Sequence, residues 1–223
     1  VFNMATQFGG GKTHALTLLY HLANLGPNAN GLPNVHRILK QSEMASIPEA
    51  KTAVFVGTEF DAISGRGGDD GTPLRKTPWG EIAFQLSGEE GFKAVAEHDA
   101  QVKAPAGDVI RKFFPKNKPA IILVDELMNF VSANSKGDMA AQLYNFLQNL
   151  SEAVSGEDKI VLVVSIPASE MELSPSLQSQ TNYDKFKKLL DRLGKAIFMA
   201  SETETSEIIR RRLFDWDDTK VTQ

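Results

Sequence analysis

The chain has 223 residues, 42% hydrophobic and 23% charged, which is enough for one compact α/β core with an insertion and too little for a second full domain. The net charge of −4 gives no support to DNA as a partner or to a polybasic membrane contact. The lack of cysteine excludes disulfides, thiolate metal sites and cysteine nucleophiles.

Residues 1–5 are short, apolar and extended in character, and the chain reads as a piece of a longer cytoplasmic protein that begins inside a strand. No secretory signal opens it and no apolar run reaches membrane-spanning length, so no membrane contact is expected. Thr6-Gln7-Phe8-Gly9-Gly10-Gly11-Lys12-Thr13 follows and leads into a helix with Ala15, Leu16, Leu18, Leu19, Leu22 and Ala23. These apolar residues cover most of the circumference, which predicts a buried helix, stopped by Gly26-Pro27.

Residues 27–50 are rich in Asn, Gly and Pro and predict a long loop with a short helix, and residues 52–57 predict a buried strand. Residues 63–76, with Gly65, Gly67, Gly68 and Gly71 among charges, predict a mobile loop. Thr77 as N-cap and Pro78 at the first position open a helix whose stripe is Trp79, Ile82, Ala83 and Leu86. Short helices are expected over 89–97 and 108–114, then an apolar strand over 120–124 ending in Asp125-Glu126. A long helix with Met139, Leu143, Phe146, Leu147, Leu150 and Val154 on one face follows. Strands at 160–166 and 196–200 flank a helix over 183–193, and a last helix spans 204–214. The whole predicts an α/β fold with a mainly parallel sheet of about five strands covered by helices on both faces. It forms one core over 1–223, with an inserted region at about 61–118 and the start of a lid or next domain at about 203–223.

The polar motifs fall at the carboxyl ends of these strands, where ligands bind on such sheets. Gly9-Gly10-Gly11 lets successive backbone N–H groups turn toward one anion, and the following helix adds its positive dipole end. In this pattern Lys12 reaches the β- and γ-phosphates of ATP and the Thr13 hydroxyl ligates Mg²⁺. The full pattern places glycine six positions before the lysine, where this chain has Thr6. Asp125, at a strand tip, holds Mg²⁺ through water, and Glu126 orients and deprotonates the attacking water. Phe8 and His14 flank the loop within reach of nucleotide. The four histidines, His14, His21, His36 and His98, have no metal-ligand spacing. Arg210-Arg211-Arg212 points around a helix rather than to one face, and reads as a solvated helix end.

This order of elements resembles the additional-strand P-loop ATPases, AAA+ proteins among them. Three stretches look like the domain-of-unknown-function 499 family of large AAA-like ATPases, members of which are often encoded beside phage-defence genes. They are Phe8-Gly9-Gly10-Gly11-Lys12-Thr13-His14, Leu74-Arg75-Lys76-Thr77-Pro78-Trp79-Gly80-Glu81-Ile82 and Ile122-Leu123-Val124-Asp125-Glu126-Leu127. The resemblance implies a defence-associated or DNA-processing ATPase. It also implies Ser165 as a γ-phosphate sensor, Thr58 as a hydrogen-bond partner switching Glu126, and Arg192 as an arginine finger acting in trans within an oligomer. Two other readings stay open: a nucleotide-gated scaffold with little hydrolysis, and a nucleic-acid-binding module with a vestigial nucleotide site.

Overall fold

The computed structural model describes residues 1–6, 11–167 and 177–197. Strand β1 (Phe2–Thr6) leads to helix α1 (Lys12–Leu25), a 3-10 turn (Gly26–Gly31), α2 (Val35–Gln41) and strand β2 (Lys51–Val56). Helices α3 (Pro78–Lys93), α4 (Ala96–Ala100) and α5 (Gly107–Lys112) precede β3 (Ala120–Asp125). Then come α6 (Leu127–Ala133), α7 (Met139–Ser155), β4 (Ile160–Pro167), α8 (Leu177–Leu193) and β5 (Lys195–Ile197). The five strands form one sheet in the order β2-β3-β4-β1-β5, and every pairing is parallel.

Successive residues of a strand point to opposite faces, and here the alternation divides the strands between two cores. Ala53, Phe55, Ile122, Val124, Leu162 and Val164 join the large cluster, which also takes Trp79, Ile110, Phe130, Phe146 and Phe186 from the helices. Met4, Leu123 and Val163 face the other way and pack with Leu16 of α1. Each fully buried side chain of this kind stabilises the fold by about 1.5–3 kcal/mol.

The α1 expectation needs correction. Leu16, Leu22 and Ala23 are buried, but Leu18 and Leu25 are 48% and 39% exposed. Among the described residues α1 meets the sheet through Leu16 and the following segment through Leu22, which packs with Ala29 and Val35, and neither cluster takes in Leu18 or Leu25. Apolar composition sets how much a helix can bury, while the neighbouring layers set how much it does.

The glycine-rich stretch after β2, expected as a mobile loop, is tied into a hairpin. Arg66 and Arg75 form an antiparallel bridge, with hydrogen bonds of 2.9 and 2.8 Å between them, and Gly68 N–H donates to the Thr72 carbonyl at 2.8 Å. The charges here are partly internal. Arg75 Nε lies 2.8 Å from Glu81 Oε2, with both side chains buried, and the guanidinium stacks 4.1 Å from the Phe84 ring centroid.

Helix α3 begins as expected, with the Thr77 side chain accepting from Gly80 N–H. Asp99 accepts from the Lys76 and Thr77 N–H groups and from the Thr77 hydroxyl. Any Cβ at position 80 would sit 2.2 Å from Asp99 Oδ1, so only glycine lets the helix start this close. Gln85, farther along α3, donates to the Val54 carbonyl at 2.9 Å and accepts from its N–H at 2.7 Å. That contact covers the outer edge of β2, which would otherwise expose unpaired backbone groups.

The helix expected over 89–97 is divided between the end of α3, bent at Ser87 and Gly88, and α4. Helix α6 has no counterpart in the sequence expectation, and α8 begins at Leu177, ahead of the expected start. Residues 198–200, the helix expected over 204–214 and Arg210-Arg211-Arg212 lie outside the described residues. No helix among the described residues is long and apolar enough to cross a membrane.

Candidate functional site

Register places the site. Val56 pairs with Asp125 and Met4 with Ser165, and Ser165 stands one position past the Val124–Val164 pair. Asp125 and Ser165 therefore occupy one row across the carboxyl end of the sheet. By the two-residue alternation they share the face of Leu123 and Met4, which is the α1 side.

Strand β1 extends through Thr6, which pairs with Pro167. The threonine that replaces the pattern's glycine belongs to the ladder. Phe8, Gly9 and Gly10 lie outside the described residues. Gly11 is the N-cap of α1 with φ 78°, a left-handed conformation natural to glycine, and a Cβ there would meet nothing within 4 Å. N–H groups of a first helical turn project along the axis away from the helix, and together with the macrodipole they favour an anion at this end.

Thr13, in that first turn, donates its hydroxyl hydrogen to Asp125 Oδ2 at 2.8 Å. Asp125 is 6% exposed, and its Oδ1 accepts the backbone N–H of Glu126 at 3.0 Å. Glu126 is the N-cap of α6 in a left-handed conformation, φ 53° and ψ 32°, and its exposed side chain accepts a hydrogen bond from Asn129 Nδ2. Gly57, just past β2, donates its N–H to the Asp125 carbonyl at 2.9 Å. A Cβ at Gly57 would lie 2.2 Å from the Glu126 carbonyl oxygen, so the turn at Glu126 rests directly on this glycine.

A cavity of about 560 Å³ opens beside this group, lined by Thr13, Thr17, His21, Glu59, Arg66 and Asp125 among others. Its polar wall and apolar floor of Leu16, Val54 and Leu123 suit a ligand with a charged part and a less polar part.

The oxygen pair of Thr13 and Asp125 fits Mg²⁺ by donor chemistry: both are hard oxygens, they converge from different elements, and they border the cavity. No cluster of three or more His, Cys, Asp or Glu able to hold a metal occurs among the described residues. A cation here would complete its shell with water and phosphate oxygen, the common arrangement for Mg²⁺.

Of the other expected residues, Lys12 opens α1 beside Thr13, and His14 is exposed on the same turn. Ser165 is 2% exposed, inside β4 rather than at its end. Thr58 is exposed and makes no hydrogen bond to Glu126; the carboxylate's partner is Asn129. Arg192 is exposed in the last turn of α8, just before β5, whose Lys195 pairs with Phe2 at the start of β1. It stands at the opposite end of the sheet from Thr13 and Asp125, and does not complete the site of its own chain. Sequence reasoning missed Gly57 and Asn129. A glycine directly after an apolar strand and an amide three positions past Glu126 were the available signals.

The family model described as DUF499 N-terminal domain matches residues 1–204. No curated protein matches the chain.

Proposed function

The chain belongs to the DUF499 N-terminal domain family, and from that premise we propose that it is the Mg²⁺-dependent ATP-binding and ATP-hydrolysing core of a larger protein. The observation that carries the reading is the hydrogen bond from Thr13 to Asp125, which joins the first turn of a helix suited to phosphate with a carboxylate suited to the metal. The parallel sheet, with β4 standing between β1 and β3, supports it.

In this reading Lys12 and the start of α1 receive the β- and γ-phosphates, and Thr13 and Asp125 hold Mg²⁺. The ion, when bound, offsets charge on the phosphate oxygens. Glu126 accepts a proton from a water whose oxygen attacks the γ-phosphorus, the bond from phosphorus to the β,γ-bridging oxygen breaks, and ADP and phosphate leave. Ser165, in the row of Asp125, is the polar group nearest in register for a γ-phosphate contact. An arginine from another protomer, Arg192 being the candidate, would neutralise charge in the transition state. A role in antiviral defence or DNA processing rests on the family resemblance.

The test is phosphate release measured beside nucleotide affinity, with Mg²⁺ and with EDTA, for the wild type and Glu126→Gln. The variant is expected to keep ATP binding and to lose on the order of 10²–10⁴-fold in turnover. Tight binding without turnover in the wild-type protein would favour the nucleotide-gated scaffold instead.

A further inference from the structure

Glu126 is exposed and forms no ion pair among the described residues. Its carboxylate is nonetheless held. Asn129 Nδ2 donates to Oε2, and the backbone N–H of the same asparagine donates to the Glu126 carbonyl at 3.1 Å. One residue of α6 thus grips both the main chain and the side chain of Glu126. Glu126 makes no side-chain bond to a backbone N–H of the first turn of α6; its side-chain partner there is the Asn129 amide. Oε1 has no hydrogen-bond partner among the described residues.

We propose that Asn129 is the positioning residue for Glu126: it occupies Oε2, fixes the plane of the carboxylate, and leaves Oε1 to take the proton of the attacking water. The inference rests on the ATPase reading above and deepens it. A glutamate side chain left alone samples many rotamers, and only a fraction of them aim an oxygen at a given point. A carboxylate accepts hydrogen bonds and an amide N–H donates them, so the pair is matched in the ionised state that a general base requires. This amide takes the place that the family resemblance assigned to Thr58, which is exposed and makes no bond to Glu126. Asn129 acts through Glu126 and touches neither nucleotide nor water itself.

The experiment is a double-mutant cycle on the full chain. Asn129→Ala removes the amide, and Asn129→Asp keeps its shape while removing the donor. Each is combined with Glu126→Gln, and single-turnover ATP hydrolysis, ATP affinity and melting temperature are measured for all variants. The expected result is a loss of kcat on the order of 10–100-fold for either Asn129 variant, the range for removing a group that orients a reacting ligand, with ATP affinity and melting temperature at wild-type values. In the Glu126→Gln background neither change lowers the rate further. Equal fold-losses in both backgrounds, or an unchanged kcat in the Asn129 variants, would overturn the proposal and leave the ATPase reading standing. A parallel fall in affinity and melting temperature would also overturn it by assigning Asn129 a structural role. Wild-type turnover by Glu126→Gln alone would remove Glu126 from its role and overturn this proposal with the ATPase reading intact, whereas ATP binding without turnover in the wild-type protein would sink the ATPase reading itself, so the two failures are distinguishable.

Discussion

The hydroxyl of Thr13 and the carboxylate of Asp125, 112 positions apart in the chain, meet at 2.8 Å. Two independent local structures produce this contact. Gly11 allows α1 to begin in a left-handed cap, and the apolar run of β3 carries Asp125 to the carboxyl end of the sheet beside it. Parity of the strand decides the rest: a shift of one residue would turn Asp125 away from α1.

The contact predicts that Thr13→Ala weakens ATP in the presence of Mg²⁺ but not ADP in EDTA. A loss of about tenfold, or about 1.4 kcal/mol, is expected for one metal ligand. Calorimetric titration in both buffers reads it directly, and equal weakening in both would assign Thr13 to phosphate rather than to metal.

Gly57 predicts a linked loss of stability and rate. A methyl group there meets the Glu126 carbonyl oxygen at 2.2 Å and the Phe130 Cβ at 2.9 Å, so the turn that presents Glu126 must shift. Gly57→Ala is expected to destabilise by about 1–3 kcal/mol, as overpacking does, and to lower kcat in the same protein. Urea denaturation and steady-state kinetics check the pair of effects.

The buried ion pair beneath the hairpin predicts a larger cost. Glu81 meets Arg75 at 2.8 Å, Gln85 at 2.7 Å and Arg66 at 3.5 Å. Glu81→Ala would strand the buried Arg75 guanidinium and is expected to cost about 3–5 kcal/mol. Lys118→Ala, which removes the exposed pair with Glu49, should leave the denaturation midpoint where it is. Equal behaviour of the two variants would show that the hairpin charges are solvated after all.

Much of this arrangement was legible in the sequence. Buried strands announce themselves as apolar runs, and the Trp79, Ile82, Ala83 and Leu86 stripe lies in the core at 2% exposure or less. Thr13, Asp125 and Ser165 could be named because each sits at a boundary where composition changes sharply. Other features depend on contacts that no local pattern encodes. Arg75 and Glu81 look like surface charges until the hairpin closes over them. Helix α6, Leu127–Ala133, is too short for periodicity to reveal, and the Asn129 contact was hidden with it. The exposure of Leu18 and Leu25 follows from which layers surround α1, and the position of Arg192 follows from where β5 joins β1.

The most direct measurement of the central claim is a crystal structure of the chain with a non-hydrolysable ATP analogue and Mn²⁺ in place of Mg²⁺, with the metal located by anomalous scattering. The account predicts a peak within coordination distance of Thr13 Oγ1 and beside Asp125, with triphosphate oxygens completing its shell against the start of α1. Triphosphate bound elsewhere, or bound there with the metal in contact with neither Thr13 nor Asp125, directly or through one water, would contradict it.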